Sequence, residues 1–324
     1  MSTMSMAAAL NAALRNRMET DPKVLVMGLD VGKLGGVFRI TDGLQKDFGE
    51  DRVIDSPLAE SGILGTAVGL AMRGYRPVCE IQFDGFVYPA YDQIVCQVAK
   101  MRFRSRGKSP MPMVIRIPFG GGIGAVEHHS ESPEAQFAHT PGLKVVACSN
   151  PVDGYWMIQQ AIASDDPVIF LEPKRQYHAD KAELDETATP APLFTSRTVR
   201  AGTDATLVGY GPTVKTCLRA AEAAEDTTSL EVIDLRTLSP LDMGPVVESV
   251  QRTGRLVVVH EAHVNLGMGA EIAARVTEEC FYSLEAPVLR VGAFDMPYPP
   301  SRIEEEYLPD LDRVLDAVDR SFAF

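Results

Sequence analysis

Short, almost wholly apolar runs recur along this chain with amphipathic stretches between them, and that alternation limits the fold more than any other feature. Strands are expected at residues 23–27 (KVLVM), 52–55, 77–82 (PVCEIQ), 113–117, 143–148 and 168–171 (VIFL). Helical patterns fill the spaces, at residues 4–18, 40–48, 56–73, 89–101, 133–139 and 151–163. Runs this apolar have no solvent-facing side, so they belong to a parallel sheet covered by helices on both faces. From about Asp180 to Ser196 the pattern gives way to acidic sequence rich in Thr and Pro. A second alternating set follows, with strands at 205–209, 230–233, 256–260 and 288–291 and helices at 214–224, 243–251, 270–280 and 311–322. The expected fold class is therefore α/β with two doubly wound domains, the second smaller: residues 1–185, a linker at 186–200, and residues 201–324. The chain shows no internal repeat and no low-complexity tract.

A length of 324 residues suits two such domains, and 45% apolar with 23% charged residues suits a globular enzyme. The net charge of −13 argues against a nucleic-acid surface, which needs clustered Lys and Arg. The one basic cluster, at residues 100–108, reads better as a solvated helix end or a subunit contact. Five cysteines without a CxxC pair, mostly in apolar stretches, point to reduced core residues. No signal peptide and no spanning apolar run is recognisable, so the expected location is the cytoplasm, with no membrane partner.

Glu60 is the only ionisable group between Leu58 and Met72. Ser56 and Pro57 in front of it read as an N-cap and a proline at the first helical position, which puts Glu60 in or just after the first turn. Burying a carboxylate costs several kcal/mol unless it is paired or protonated, and such carboxylates occur at proton-transfer sites. The other reading is that Glu60 complements the helix dipole. The residues alone leave both open.

Other motifs are weaker. The run Gly120-Gly121-Gly122-Ile123-Gly124 follows a strand, yet fits neither GxGxxG nor GxxxxGK[ST], so a nucleotide site has little support. It reads as a close backbone approach to a cofactor or partner, or as a flexible loop. Glu127-His128-His129-Ser130-Glu131 comes next, but adjacent side chains diverge and one metal rarely takes both histidines. A histidine on such a loop is better suited to proton transfer. His260-Glu261-Ala262-His263 is one residue short of HExxH and ends a strand, so it is not read as a zinc site. At Glu80-Ile81-Gln82-Phe83-Asp84-Gly85-Phe86 an amide and aromatics stand at a strand's carboxyl end, where open α/β sheets bind ligands. Phe86 there either stacks on a flat ring or fills the core.

The segments DSPLAESGILGTAVGLAMRGYRPVCEIQFDGF, GGIGAVEHHSESPEAQFAHTPGLKVV, FLEPKRQYH, VIDLRTLSPLD and APVLRVGAFDMPYPP are together similar to the beta subunits of the thiamine-diphosphate-dependent decarboxylating component of 2-oxo acid dehydrogenases. The likeness runs from the first helix to the C-terminus and is strongest to the branched-chain subgroup. It implies a thiamine-diphosphate pyrimidine-binding, transketolase-like first domain and a transketolase-like second domain. It implies that Glu60 hydrogen-bonds the aminopyrimidine nitrogen, where proton exchange lets the cofactor form its carbon nucleophile. By the same likeness Phe86 packs on the aminopyrimidine, Gln82 lines that pocket, and His129 serves acyl transfer to a lipoyl arm. His128 has no matching role.

No GDG motif is present, so the resemblance assigns the diphosphate and Mg2+ mainly to a separate alpha subunit in an α2β2 heterotetramer, with no metal ligands on this chain. At Gly28-Leu29-Asp30-Val31, Leu29 replaces the family's usual glutamate, which puts communication between paired sites in doubt. The expected function is oxidative decarboxylation of a branched-chain 2-oxo acid and acylation of lipoyl-lysine on an acyltransferase core. The alternatives are a pyruvate or acetoin dehydrogenase beta subunit, or a non-catalytic scaffold paralogue. Seven acids among the last residues (Glu304, Glu305, Glu306, Asp310, Asp312, Asp316, Asp319) read either as a solvated helix or as a docking face for the core's subunit-binding domain.

Overall fold

The computed structural model describes residues 2–179 and 181–324. Met1 and Asp180, where the acidic break was expected to begin, lie outside the described residues. The strands of the first half are β1 (Ser2–Ser5), β2 (Val24–Gly28), β3 (Val53–Asp55), β4 (Arg76–Glu80), β5 (Val114–Phe119), β6 (Lys144–Ala147), β7 (Val168–Pro173) and β8 (Lys181–Leu184). Those of the second half are β9 (Arg197–Arg200), β10 (Ala205–Gly209), β11 (Leu230–Asp234), β12 (Thr237–Ser239), β13 (Leu256–His263) and β14 (Leu289–Ala293).

β6, β7, β5, β4, β2 and β3 lie side by side in that order, all parallel. The central strands β5 and β7 are buried along their whole length, which is why they read as mostly apolar runs, interrupted only by Arg116 and Glu172. Helices Met6–Thr20 and Pro151–Ala163 bury Leu10, Leu14, Tyr155 and Ile158 in one apolar cluster. Helix Glu60–Met72 buries Ile63, Leu64 and Ala67 in the other. The second sheet runs β14-β13-β10-β11-β9, parallel except at β9. Residues 197–200, the end of the expected linker, form that antiparallel edge. Among the described residues no helix is long and apolar enough to cross a membrane.

The two halves are joined more closely than the sequence suggests. β12, from the second half, adds to β6 as an antiparallel edge of the first sheet. A single apolar cluster includes Phe119 and Phe137 from the first half and Val208, Ile233 and Met268 from the second.

Two local expectations need correction. Ser56 does not cap the Glu60 helix: it lies four residues before the helix begins, and its N–H donates to Gly28 O at 2.9 Å, prolonging the pairing of β3 with β2. The helix starts instead at Glu60, after Ala59, with no side-chain cap. The single helix expected at 89–101 is a 3-10 segment (Asp84–Ala90), a π-helical turn (Gln93–Val98) and a short helix (Met101–Arg104). Pro89 lies within the first of these and has no N–H to donate.

Candidate active site

Parallel strands put all their carboxyl ends at one edge, and the connections leaving that edge of the first sheet carry the residues that the resemblance assigns to the site. Leu29 and Asp30 follow β2, Glu60 follows β3, Gln82 and Phe86 follow β4, and His129 follows β5.

Glu60, the first residue of its helix, is 8% exposed. No hydrogen bond or ion pair reaches its carboxylate from the described residues. Free amides at the helix start favour a negative charge there, so the dipole reading holds locally. It does not supply a hydrogen-bond partner for the carboxylate of this nearly buried residue. Such a group is suited to a ligand that presents a ring nitrogen.

Gln82 Nε2 donates to Leu29 O at 3.3 Å and to Asp30 Oδ2 at 3.4 Å, tying the turn after β2 to the segment after β4. Phe86 and Phe83 are half-buried and edge-on to each other, with centroids 6.0 Å apart. His129 stacks on Phe83 at 4.0 Å and meets the Phe86 ring edge-on at 5.1 Å. Its Nδ1 is buried with no hydrogen-bond partner among the described residues. His128 is half exposed, with its Nδ1 3.6 Å from Glu127 and its ring edge-on to His129 at 4.3 Å. The structure thus brings Gln82, Phe86 and His129 to one sheet edge, with Phe86 and His129 in ring contact. Glu60 joins them through the packing of its helix on the Asp84–Ala90 segment.

Beneath this edge lies a charge network that the motif reading missed. Arg116, 0% exposed in the middle of β5, donates from Nε and Nη2 to both oxygens of Glu172, at 2.7 and 2.8 Å. Its Nη1 donates to Glu80 Oε2 at 2.5 Å, and Tyr177 OH donates to Glu172 Oε2 at 2.6 Å. Burial alone would depress the guanidinium, but the two carboxylates outweigh it and hold its pKa above normal. Burial raises the Glu80 carboxyl, and Arg116 only partly offsets that. Beside them Lys174, of FLEPK, pairs with Asp84, whose other oxygen accepts from Glu131 N at 2.6 Å. A charged residue inside each of the strands VIRIPF and VIFLEP was the available signal. Among the described residues no group of three or more His, Cys, Asp or Glu is arranged to hold a metal ion.

The fold and this edge define a class. Residues 2–179 match the family "Transketolase, pyrimidine binding domain" and residues 195–314 match "Transketolase, C-terminal domain". A solved structure described as "Split gene transketolase, inactive beta4 tetramer" superposes with a TM-score of 0.82 over 99% of this chain and 98% of that one. At 22% identity it speaks for the fold alone.

Relatives narrow the class. "Pyruvate dehydrogenase E1 component subunit beta" of Leifsonia xyli subsp. xyli is 62% identical, covering 99% of this chain and 96% of its own. "3-methyl-2-oxobutanoate dehydrogenase subunit beta" of Mycobacterium tuberculosis is 54% identical over 98% of this chain and 92% of its own. The Staphylococcus epidermidis "Pyruvate dehydrogenase E1 component subunit beta" is 46% identical over the full length of both. The chain belongs to the E1 beta subunits of the thiamine-diphosphate-dependent 2-oxo acid dehydrogenases, a family of oxidoreductases.

Proposed function

We propose that this chain is the catalytic beta subunit of a branched-chain 2-oxo acid dehydrogenase, acting on a small 2-oxo acid with an alpha subunit in an α2β2 heterotetramer. The observation that supports the reading is Glu60, a nearly buried residue whose carboxylate has no partner among the described residues, at the same sheet edge as Phe86 and His129. When bound, thiamine diphosphate supplies the carbon nucleophile that decarboxylation needs. Glu60 holds a proton at its carboxylate against the ring nitrogen of the aminopyrimidine. Phe86 presents an apolar face to that ring, and Gln82 closes the pocket wall while holding the turn at Leu29 and Asp30. His129, stacked on Phe83, holds or moves a proton at its imidazole during transfer of the acyl group to lipoyl-lysine.

The alpha subunit is assigned the diphosphate and most of the Mg2+ binding, because this chain has no GDG motif. The exposed carboxylates of the final helix, Asp312, Asp316 and Asp319, suit a basic subunit-binding domain of the acyltransferase core. Five free cysteines fit a reducing compartment, and we place the protein in the cytoplasm. The domain limits we propose are 1–185 and 201–324, joined by a linker at 186–200 whose last four residues add to the second sheet as β9.

The relative named for 3-methyl-2-oxobutanoate supports the branched-chain substrate, and the one named for pyruvate favours a second reading in which only the substrate changes. The two acids differ by two methyl carbons, each worth about 1–3 kcal/mol in an apolar pocket, so the choice between them lies in the pocket wall and the decarboxylating residues serve either. The test is turnover of 3-methyl-2-oxobutanoate beside pyruvate by the chain co-expressed with its alpha subunit, with cofactor, Mg2+ and an artificial electron acceptor. Turnover confined to pyruvate overturns the branched-chain assignment. A well-formed heterotetramer inactive on every 2-oxo acid makes the scaffold reading, motivated by Leu29, the better one. In the active assembly Glu60→Gln should leave the heterotetramer intact and lower decarboxylation by about a hundredfold or more. Near-normal turnover of that variant removes Glu60 from the mechanism.

A further inference from the structure

His129 has no hydrogen bond to fix its buried Nδ1, so its position depends on ring packing and on the backbone that carries it. That backbone is a loop closed at its base, where Gly120 N donates to Glu131 O at 2.9 Å. The Glu131 end is held by Asp84 and, through it, by buried Lys174. The arm leading up to the histidine, residues 120–124, rests on carboxylates of the C-terminal half of the chain. Gly121 N donates to Glu261 Oε2 at 3.1 Å. Gly122 N and Gly124 N donate to the two oxygens of Glu304, at 2.9 and 3.0 Å. Tyr298 OH donates to Glu304 Oε1 at 2.5 Å, and Arg175 pairs with Glu261 at 2.6 Å.

Glu261 and Glu304 are only 5% and 6% exposed, so each carboxylate gives up water for these bonds. Bonds from N–H to a carboxylate are among the stronger ones, and one carboxylate bridging two amides fixes both relative to each other. Glu304 is therefore not part of the acidic surface expected of the last residues. It turns inward, towards the glycine run.

We propose that Glu304, backed by Tyr298 and Glu261, is a positioning residue for His129. It clasps the glycine arm and so sets where the imidazole stands when the acyl group leaves for the lipoyl arm. This rests on the reading above, in which His129 serves that transfer. The glycine run is then neither a phosphate loop nor a flexible one. Its amides serve a carboxylate clasp reaching in from the second half of the chain.

The experiment compares the assembly of alpha and beta subunits carrying wild type, Glu304→Ala, Glu304→Gln and Tyr298→Phe. Amide hydrogen exchange across residues 120–131 is followed by mass spectrometry. In parallel, acylation of a lipoyl domain is measured against decarboxylation with an artificial acceptor. Glu304→Ala should speed exchange at Gly122 and Gly124 and lower acylation about tenfold, with decarboxylation down less than about threefold. Glu304→Gln, which keeps one acceptor oxygen, should recover part of both. Unchanged exchange in Glu304→Ala overturns the clasp. Faster exchange with an unchanged ratio of the two rates overturns the positioning role. If Glu304→Ala does not assemble, Tyr298→Phe, which deletes one hydroxyl, is judged by the same two criteria. Should the wild-type assembly turn over no 2-oxo acid, the functional reading fails by itself, and the exchange data alone judge the clasp.

Discussion

Burial pushes the carboxyl of Glu134 up to about 7, against the Tyr210 hydroxyl that donates to it at 2.6 Å and with help from the charge of Glu261. In the unfolded chain the same group titrates near 4.5, so as pH rises the unfolded chain gives up its proton first. The stability this group contributes is fully present below about 4.5 and is lost as pH rises through about 7. The loss is at most on the order of 3 kcal/mol. Glu134→Gln keeps an acceptor for Tyr210 and cannot ionise, so it should flatten this part of the pH profile. Urea midpoints measured across that range would check it, and an unchanged slope in the variant would refute the assignment. Arg116 works in the opposite sense, since its charge is what makes two buried carboxylates tolerable. Arg116→Met should cost about 3–5 kcal/mol by leaving them unpaired. A loss below about 1 kcal/mol in denaturant unfolding would refute the argument that Arg116 is what makes this buried network tolerable.

Among elements, the loop at 120–131 shows how tightly a surface segment is specified when another part of the chain supplies its hydrogen-bond partners. A Cβ at Gly121 would stand 1.9 Å from Tyr298 Oη, and at Gly107, on an exposed turn, it would meet nothing within 4 Å. Gly121→Ala should therefore push Tyr298 off Glu304 and loosen the loop, a cost of about 1–3 kcal/mol. Gly107→Ala carries only the strain of its left-handed backbone, about 1 kcal/mol. Thermal unfolding of the two variants should rank them in that order, and equal losses would count against the packing argument. The Glu60 helix makes a related point. It opens only after Ala59, past the stretch in which Ser56 N–H still pairs with Gly28 O at the end of β2.

For the whole molecule, the apolar cluster shared by both halves and the crossing strand β12 predict a single unfolding transition. The sole tryptophan, Trp156, lies on helix Pro151–Ala163 and reports the first half, while far-ultraviolet circular dichroism reports both. The two signals should coincide in denaturant. Separate midpoints would mean that the halves fold independently despite the shared core.

Much of this architecture was legible from residue order, because apolar runs and helical periods are local properties. Strand Ala205–Gly209 and helix Pro151–Ala163 begin and end where their patterns do. Glu60, Gln82, Phe86 and His129 stand in segments that follow strand ends, which residue order made visible, but their roles came from the family resemblance and remain proposals. What local order does not contain is pairing. β1, β8, β9 and β12 are short and exist through their partners, and β12 finds its partner in the other half of the chain. Nor could the sequence tell that Glu304 leaves an acidic surface to meet two glycine amides far up the chain, or that Arg116 meets Glu80 and Glu172. Composition and periodicity determined which segments are buried. Only the tertiary structure decided which buried charges find each other, because a carboxylate's partner is set by distance in space, and residues remote in sequence become neighbours only when the sheets close.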